Sequence, residues 1–359
     1  MANFTTIDDP SAHFQVVLYT GDGQTGRTVT NDGNSDLQPD FVWIRERSSS
    51  GHKLYDSTRG VQKVLATQST AAETTVAQGL TAFNSDGFTV GSDGGHNQSS
   101  ETYVSWQWKA AGGTTASNTD GDLTSTTQVN STAGFSIITY TGKDPIEPLD
   151  IGHGLGAVPE VFIIKRRNGG SRNWAYYHKN MSASPQNGYL RLNNAAAYST
   201  ASTWWRNEAP TSTIIKTGEQ ADVNQPNDTF VVYAFKGIQG YSKFGSYEGT
   251  GARAYAPFIY LGFEPAFVII KNADGSGSWL MFDNKRTIIN GDFEYLLANT
   301  NDAESDTGLS FTDPIDFLSN GFRVLNYDAW ANGSGVTYIY MAFAHHPLVT
   351  STGVPNTAR

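Results

Sequence analysis

Tryptophan side chains in polar surroundings are the residues of this sequence best suited to binding chemistry. Trp204 and Trp205 lie in the polar segment 200–208, and Trp174 and Trp330 are the next candidates. Exposed aromatic rings can stack on sugar rings, so these four tryptophans are the candidates for glycan binding, with the Trp204–Trp205 pair first. Adjacent residues of a strand face opposite sides, and at least one ring of the Trp204–Trp205 pair is therefore expected in the core. The competing interpretation is packing at a module or subunit interface, where Trp and Tyr are enriched.

Acidic loops and histidines offer the ligands that a metal site would need. Asp144, Glu147 and Asp150 share a proline-containing loop, and segments 274–277 and 301–306 are similar. Their spacing matches no EF-hand, which needs an intervening glycine and a terminal glutamate. The seven histidines form no metal-ligand motif. Solvated turns are the favoured interpretation, and neither a metal nor another cofactor is expected.

Catalytic residues are not expected either. Glycoside cleavage needs two carboxylates beside the scissile bond, and no Asp or Glu pair stands in a recognisable catalytic pattern. The glycine run 152–156 is a weak match to a phosphate loop, because it precedes a strand and no helix follows. The sequence therefore predicts a protein that is not an enzyme.

Composition limits the partners. The chain has 34 acidic and 24 basic residues and a formal charge of −10, without any run of Lys or Arg, so nucleic acid is not expected. No apolar stretch of about 18 residues could span a bilayer, and the N-terminus lacks the features of a signal peptide. Cysteine is absent, which excludes disulfides and thiolate metal sites. The pattern suits a protein made in a reducing cytoplasm and exposed later.

A pattern of strands recurs three times at similar spacing. Each copy opens with an aromatic residue, then Thr or Glu, then Gly; it continues through a proline ahead of an apolar run and closes with an aromatic strand. The copies occupy residues 19–21, 37–44 and 103–108; 140–142, 157–164 and 230–235; and 247–249, 263–270 and 338–343. Because the proline strands are apolar on both faces, they are predicted to be central strands.

These copies predict an all-β chain of three tandem β-sandwich modules, of jelly-roll or lectin-like form. Repeat 1 spans residues 1–110, repeat 2 spans 134–238, and repeat 3 spans 239–359 with a C-terminal tail. Residues 111–133 are a Gly/Thr/Ser-rich linker that could still add an edge strand to a neighbour. Within repeat 1, residues 61–73 are compatible with a helix.

Five stretches of the chain have counterparts in a known family: residues 4–10, 18–21, 38–44, 240–247 and 342–355. They resemble stretches of virion and tail-fibre proteins from tailed phages of aquatic bacteria, especially phages of marine cyanobacteria. The resemblance covers nearly the whole chain and implies a virion structural role. It supplies no catalytic residue and no particular place on the particle.

The expected function is that of a tailed-bacteriophage tail-fibre or receptor-binding component that adheres to host surface glycan. The alternative is a capsid decoration protein, a head cement or head fibre without a ligand site, and a free carbohydrate-binding module comes third. The expected partners are other virion proteins and a host glycan, with neither nucleic acid nor membrane insertion. A homo-oligomer on the virion surface is expected, and a trimer is favoured.

Overall fold

The computed structural model of the chain describes residues 5–143, 146–286, 290, 294–304, 315–325 and 329–356. Every ladder between its strands is antiparallel, so the all-β prediction is confirmed. Within these residues, helix is limited to single turns, and no helix is long and apolar enough to cross a bilayer. The turns are α1 (Gly94–Asn97), α2 (Ser202–Trp205) and the 3-10 segments Pro10–Ala12, Pro185–Asn187 and Arg253–Tyr255.

Repeat 1 contributes a four-stranded sheet in the order β1-β9-β3-β4, a three-stranded sheet β2-β8-β7 and the pair β5-β6. The strands are β1 (Phe14–Thr20), β2 (Arg27–Val29), β3 (Phe41–Glu46), β4 (Lys53–Asp56), β5 (Lys63–Val64), β6 (Thr74–Thr75), β7 (Leu80–Phe83), β8 (Phe88–Val90) and β9 (Thr102–Trp108). The helix considered for residues 61–73 is wrong. Gln62 has φ of 65°, a left-handed conformation that no helix tolerates, and β5 follows directly.

Residues 111–133 form two strands, β10 (Ala116–Asn118) and β11 (Ser125–Asn130), so the edge-strand alternative describes this segment better than a linker. They extend repeat 2 into the eight-stranded sheet β10-β11-β12-β19-β14-β15-β16-β17, with β13-β18 as a separate pair. The strands of repeat 2 are β12 (Phe135–Thr141), β13 (Leu149–Gly152), β14 (Val161–Arg166), β15 (Trp174–His178), β16 (Gly188–Arg191), β17 (Ser199–Thr200), β18 (Ile214–Thr217) and β19 (Thr229–Phe235).

Repeat 3 builds the sheet β20-β27-β22-β23-β24 and the smaller sheet β21-β26-β25. Its strands are β20 (Ser242–Glu248), β21 (Phe258–Tyr260), β22 (Phe263–Asn272), β23 (Leu280–Asp283), β24 (Leu296–Leu297), β25 (Ile315–Leu318), β26 (Gly321–Val324) and β27 (Thr337–Pro347). Pro265 lies inside β22, where the register shifts and the strand is irregular, so its missing N–H interrupts no regular ladder.

One strand order recurs in the three repeats. The opening strand pairs with the closing strand, the closing strand with the proline strand, and the proline strand with the next strand along the chain, as in β1-β9-β3-β4, β12-β19-β14-β15 and β20-β27-β22-β23. The proline strands are therefore internal, as predicted. Their two apolar faces have different partners: Val42 and Ile44 pack with the small sheet of repeat 1, whereas Phe41 and Trp43 join a core shared by all three repeats.

The recurrent opening tyrosine has the same environment in each repeat. Its ring stacks nearly parallel on the first aromatic ring of the closing strand, at centroid distances of 4.8, 4.9 and 5.2 Å for Tyr19–Tyr103, Tyr140–Phe230 and Tyr247–Tyr338. Its hydroxyl donates to the backbone carbonyl of His96, Val223 or Ala331, respectively. The tyrosine thus joins the opening strand to the loop that leads into the closing strand.

The glycine of each opening motif lies against that same loop. A Cβ on Gly21, Gly142 or Gly249 would overlap the backbone carbonyl oxygen of Gln98, Gln225 or Gly333, respectively. The residue before that carbonyl is a fully buried asparagine, whose side-chain oxygen accepts the backbone N–H that follows the glycine; these residues are Asn97, Asn224 and Asn332. Sequence reasoning missed the asparagines, although each stands six positions before its closing aromatic residue.

The closing strands of the three repeats converge on a triangle of aromatic side chains. Trp108, Phe235 and Phe343 occupy equivalent positions, and their centroids are 6.4, 5.4 and 5.8 Å apart for the pairs 108–235, 108–343 and 235–343. All three are buried, and the largest core cluster draws on every repeat. This aromatic triangle marks an approximate threefold axis, around which the chain closes on itself.

The tight approach at the opening glycine gives a stability prediction. We expect Gly142→Ala to lower the free energy of unfolding by about 2 kcal/mol, because the new methyl group meets a backbone carbonyl that cannot rotate away. Gly277→Ala is the matched control, since its Cβ would make only an ordinary contact with Asn272, and we expect a change within about 0.5 kcal/mol. Urea unfolding measures both values, and equal losses would contradict the role assigned to the motif.

The shared aromatic triangle predicts cooperative unfolding. We expect Phe343→Ala to cost about 3–5 kcal/mol, because it leaves a cavity where three repeats meet. The loss should move one single transition and should not separate a transition of repeat 3. Calorimetry with Tyr255→Ala, which alters a side chain that is 78% exposed, provides the control. A separate early transition in the Phe343 variant would show that the repeats fold independently.

Candidate functional site

Trp204 and Trp205 are core residues, which removes the exposed surface that glycan stacking would need. They lie on α2 and are 2% and 1% exposed. Trp204 stacks on Tyr189 at a centroid distance of 3.8 Å, and Trp205 contacts Phe162 edge-on at 5.0 Å. At least one ring of the pair was expected in the core, and both rings lie there. The reason is that the two residues lie on a helical turn and not on a strand, where adjacent side chains would face opposite sides.

Trp174 and Trp330 are not open platforms either. Trp174 is fully buried, and its indole N–H donates to the carbonyl of Ala66 in repeat 1 at 2.9 Å, so this ring lies between two repeats. Trp330 is half-buried and packs against the outer core of repeat 3. Trp174 therefore fits the competing interpretation, packing at an interface between repeats.

The bond made by Trp174 belongs to a cyclic set. His52, Trp174 and Trp279 stand at or next to the start of β4, β15 and β23, and each donates a ring N–H to a backbone carbonyl of another repeat. The acceptors are Leu297, Ala66 and Arg191, at 2.9, 2.9 and 3.1 Å. Repeat 1 thus binds repeat 3, repeat 2 binds repeat 1, and repeat 3 binds repeat 2. We call these three interfaces the 1–3, 1–2 and 2–3 seams.

A second set of hydrogen bonds joins the same three pairs of repeats, each through one residue of a closing strand. The Trp106 indole donates to Asp283 at 3.1 Å across the 1–3 seam, and the Tyr233 hydroxyl donates to Asp56 at 2.7 Å across the 1–2 seam. At the 2–3 seam, His178 bonds the carbonyl of Tyr340 at 3.1 Å. Burial lowers the pKa of His178 to about 4, so this imidazole is neutral at pH 7 and its Nε2–H is the donor, because Nδ1 accepts from Asn180.

Two seams carry a carboxylate between two arginines. At the 1–2 seam, Glu73 pairs with Arg59 at 2.9 Å and with Arg167 at 3.0 Å. At the 1–3 seam, Glu304 pairs with Arg286 at 2.6 Å and with Arg47 at 2.5 Å. Burial opposes ionisation of Glu73, but its bonds from the arginines outweigh burial and hold its pKa below the ordinary value.

The 2–3 seam keeps the backbone arrangement without the charges. The N–H groups of Glu73, Glu304 and Tyr198 donate to the carbonyls of Arg167, Arg47 and Ala273 at 2.7–2.8 Å. Tyr198 thus takes the place of the glutamates, and Ala273 takes the place of the arginines. The backbone hydrogen bond is common to all three seams, whereas the ion pairs with a shared carboxylate are described at two of them.

The acidic loops considered for calcium have protein partners where the structure describes them. Asp150 pairs with Arg206, Glu147 pairs with Lys143, and Asp274 accepts the backbone N–H of Thr337. Asp144 and residues 305–306 lie outside the described residues. Within the described chain, no group of three His, Asp or Glu side chains is placed to hold a metal ion.

Among the described residues, the most exposed aromatic side chains lie in repeat 3, at positions that sequence reasoning did not select. Tyr255, Phe258 and Tyr260 are 78, 47 and 53% exposed within one short segment. The signal was available in the sequence, as three aromatic residues around Pro257 without strand-like polar alternation. Apolar side chains this exposed and this close together mark a candidate interaction surface.

A cavity of about 360 Å³ adjoins this segment at the 2–3 seam. Its lining combines one aromatic ring, two lysines, one carboxylate and an apolar floor: Tyr260, Lys179, Lys243, Glu160, Leu261, Leu348 and Val349, with Gln239 and Ser242 at its side. A concave site with few polar groups on an apolar base is the usual form of a small-ligand pocket. This seam cavity is the candidate functional site.

The side chains in and beside the seam cavity carry an excess of positive charge. Glu160 holds Lys179 and Lys236, one on each oxygen at 2.7 Å, and these bonds outweigh burial to keep its pKa low. Lys243 donates to the carbonyl of Tyr260 at 2.6 Å, and its ammonium group lies 5.5 Å from the Tyr260 ring centroid. Burial and the nearby charge of Lys179 both lower the pKa of Lys243. Three cations therefore surround one anion.

The other two seams differ at the equivalent place. At the 1–3 seam the cavity measures about 160 Å³, Ala266 replaces Glu160, and Lys285 is paired with Asp32. At the 1–2 seam the place is closed: Asp40 accepts the backbone N–H groups of Ala110, Gly112 and Gly113, and Gln128 of β11 bonds Ser57. The larger, cationic cavity is thus specific to the 2–3 seam.

The charged seams predict acid sensitivity. A carboxylate with a lowered pKa stabilises the fold above its ordinary pKa, and this contribution is lost as the pH falls below about 4.5. We expect Glu73→Gln to cost about 2 kcal/mol at pH 7 and to flatten the loss of stability at lower pH. Urea unfolding at pH 7 and pH 4 measures this, with Glu219→Gln, an exposed carboxylate, as control. An unchanged pH profile would contradict the role of Glu73.

No curated protein matches the chain. A family model described as a domain of unknown function (DUF7483) matches residues 9–347, which include every strand from β1 to β27. The chain belongs to the DUF7483 family.

Proposed function

We propose that this chain is a structural protein of a tailed-bacteriophage virion and acts as a tail-fibre or receptor-binding component that adheres to host surface glycan. The support from sequence is the resemblance of residues 4–10, 38–44 and 342–355 to phage virion and tail-fibre proteins. Its partners would be other virion proteins and the host glycan, and its place would be the virion surface.

The structural observation that favours this function is the closure of three repeats around the aromatic triangle. Hydrogen bonds and buried rings in cyclic order join each repeat to both others, so the three repeats form one body. A body with approximate threefold symmetry fits the end of a threefold fibre, because each repeat can meet one subunit in an equivalent way. Adhesion requires such a body, since weak single contacts gain strength only when they are held together.

The finer fold that we propose is three tandem β-sandwich modules of jelly-roll or lectin-like form. In repeats 1 and 3, the large and small sheets share a core of their own. Val42, Phe88 and Val90 belong to one such core, and Val268, Phe317 and Phe322 belong to the other. Repeat 2 has the corresponding pair β13-β18. The inward faces of the large sheets then meet at the axis.

A homo-oligomer, with a trimer favoured, would have to use an outer surface, because the aromatic axis is already buried within one chain. A capsid decoration protein is the second candidate. The exposed apolar side chains of Tyr255, Phe258 and Tyr260 favour it, since such a patch is suited to a protein partner.

Location on the particle tests the proposal. We expect antibodies against the chain to label the tail of purified particles, and cryo-electron microscopy to show its density at a fibre. A capsid antibody on the same grids is the control. Labelling spread over the head would overturn the adhesion function and favour capsid decoration, and absence from the particle would overturn both.

A further inference from the structure

We propose that the seam cavity between repeats 2 and 3 binds an acidic saccharide, with Lys179 and Lys243 holding its anionic group and Tyr260 supporting a sugar ring. The inference deepens the proposed adhesion function and rests on it for its biological meaning. It also replaces the tryptophans as the site of glycan contact, because Trp204, Trp205 and Trp174 are buried.

The charge of the cavity selects an anion. The chain as a whole carries −10, yet this cavity gathers Lys179, Lys243 and the adjoining Lys236 around the single carboxylate of Glu160. Both oxygens of Glu160 are already taken by Lys179 and Lys236 at 2.7 Å. Lys243 makes its bond to a neutral backbone carbonyl, so its charge has no carboxylate bonded to it. A carboxylate or sulfate entering here would complete the pairing of two ammonium groups.

The shape and lining of the cavity select a sugar over a small inorganic anion. About 360 Å³ is far more space than one phosphate or sulfate ion needs. Leu261, Leu348 and Val349 provide an apolar base, and the Tyr260 ring is half exposed beside it. The exposed amide of Gln239 is available to hydroxyl groups at the rim. Sugars present both an apolar ring face and hydroxyl groups, and this lining offers a counterpart to each.

The cavity is not a general feature of the repeats, because the other two seams lack its volume and its excess positive charge. The 1–2 seam is filled by Asp40 and the segment that leads to β10 and β11. The 1–3 seam keeps less than half the volume, and Asp32 already neutralises its lysine, Lys285. Only the 2–3 seam, among the residues described, combines space, excess positive charge and an exposed aromatic ring. Lys285 therefore supplies an internal control.

Binding of defined oligosaccharides to the full chain tests the inference. The probes are trigalacturonate, a sulfated trisaccharide and neutral maltotriose, measured by isothermal titration calorimetry. We expect both acidic probes to bind at least about tenfold more tightly than maltotriose, because one charge-assisted contact contributes about that factor. Their affinity should fall as salt is raised. A preference between the two acidic probes identifies the carboxylate or the sulfate as the anionic group.

Variants assign the binding to the cavity. We expect Lys243→Gln to weaken the acidic probes about tenfold without affecting maltotriose, and Tyr260→Ala to weaken every probe that binds. Lys285→Gln and Tyr255→Ala should leave binding unchanged, and thermal melting checks that all four variants are folded. Equal affinity for acidic and neutral probes, or unchanged binding in the folded Lys243 and Tyr260 variants, would overturn the inference.

Adsorption to host cells separates this inference from the proposed function. If the full chain adsorbs to cells and Lys243→Gln adsorbs equally well, the seam cavity is not the glycan site, but the adhesion function stands. If the chain binds trigalacturonate while particle labelling finds it on the head, the site stands and the tail-fibre function is wrong.

Discussion

The contact of Trp108, Phe235 and Phe343 is the constraint on which the rest of the structure depends. Trp108 and Phe235 end their closing strands, and Phe343 holds the equivalent position inside the longer β27. Each closing strand lies between an opening strand and a proline strand. Bringing three such strands to one point fixes the positions of three whole sheets. The seams follow from this, because the strands next to the proline strands are then adjacent to other repeats. Aromatic burial of this size supplies the largest favourable term available to a chain that is poor in charge.

Local features of the fold were predictable from the sequence, whereas the closure of the repeats was not. The strands follow from alternation and from the Tyr–x–Gly opening, whose stacking and close backbone contact are made within one repeat. The seams use chemically different donors at one position, His52, Trp174 and Trp279, against backbone acceptors. Comparing side chains does not reveal that these three positions are equivalent. Their shared acceptor is a backbone carbonyl, which every residue has.

The candidate site was misplaced for a related physical reason. Polar neighbours around Trp204 and Trp205 indicated exposure, but a single helical turn directs both rings inward, where Tyr189 and Phe162 receive them. The seam cavity could not be predicted, since Glu160, Lys179, Lys243 and Tyr260 come from two repeats. It exists because the three seams are unequal. The segment leading to β10 and β11 fills the 1–2 seam, the 1–3 seam keeps a smaller cavity whose lysine is paired with Asp32, and the 2–3 seam is the most open.

Backbone acceptors at the seams have a consequence for how the repeats can change over evolutionary time. A donor such as Trp279 needs a carbonyl at a fixed place, and substitution of Arg191 leaves that carbonyl in position. Mutation on the acceptor side therefore does not have to be matched by mutation on the donor side. The three copies can therefore diverge in sequence while the contacts that close the ring are kept.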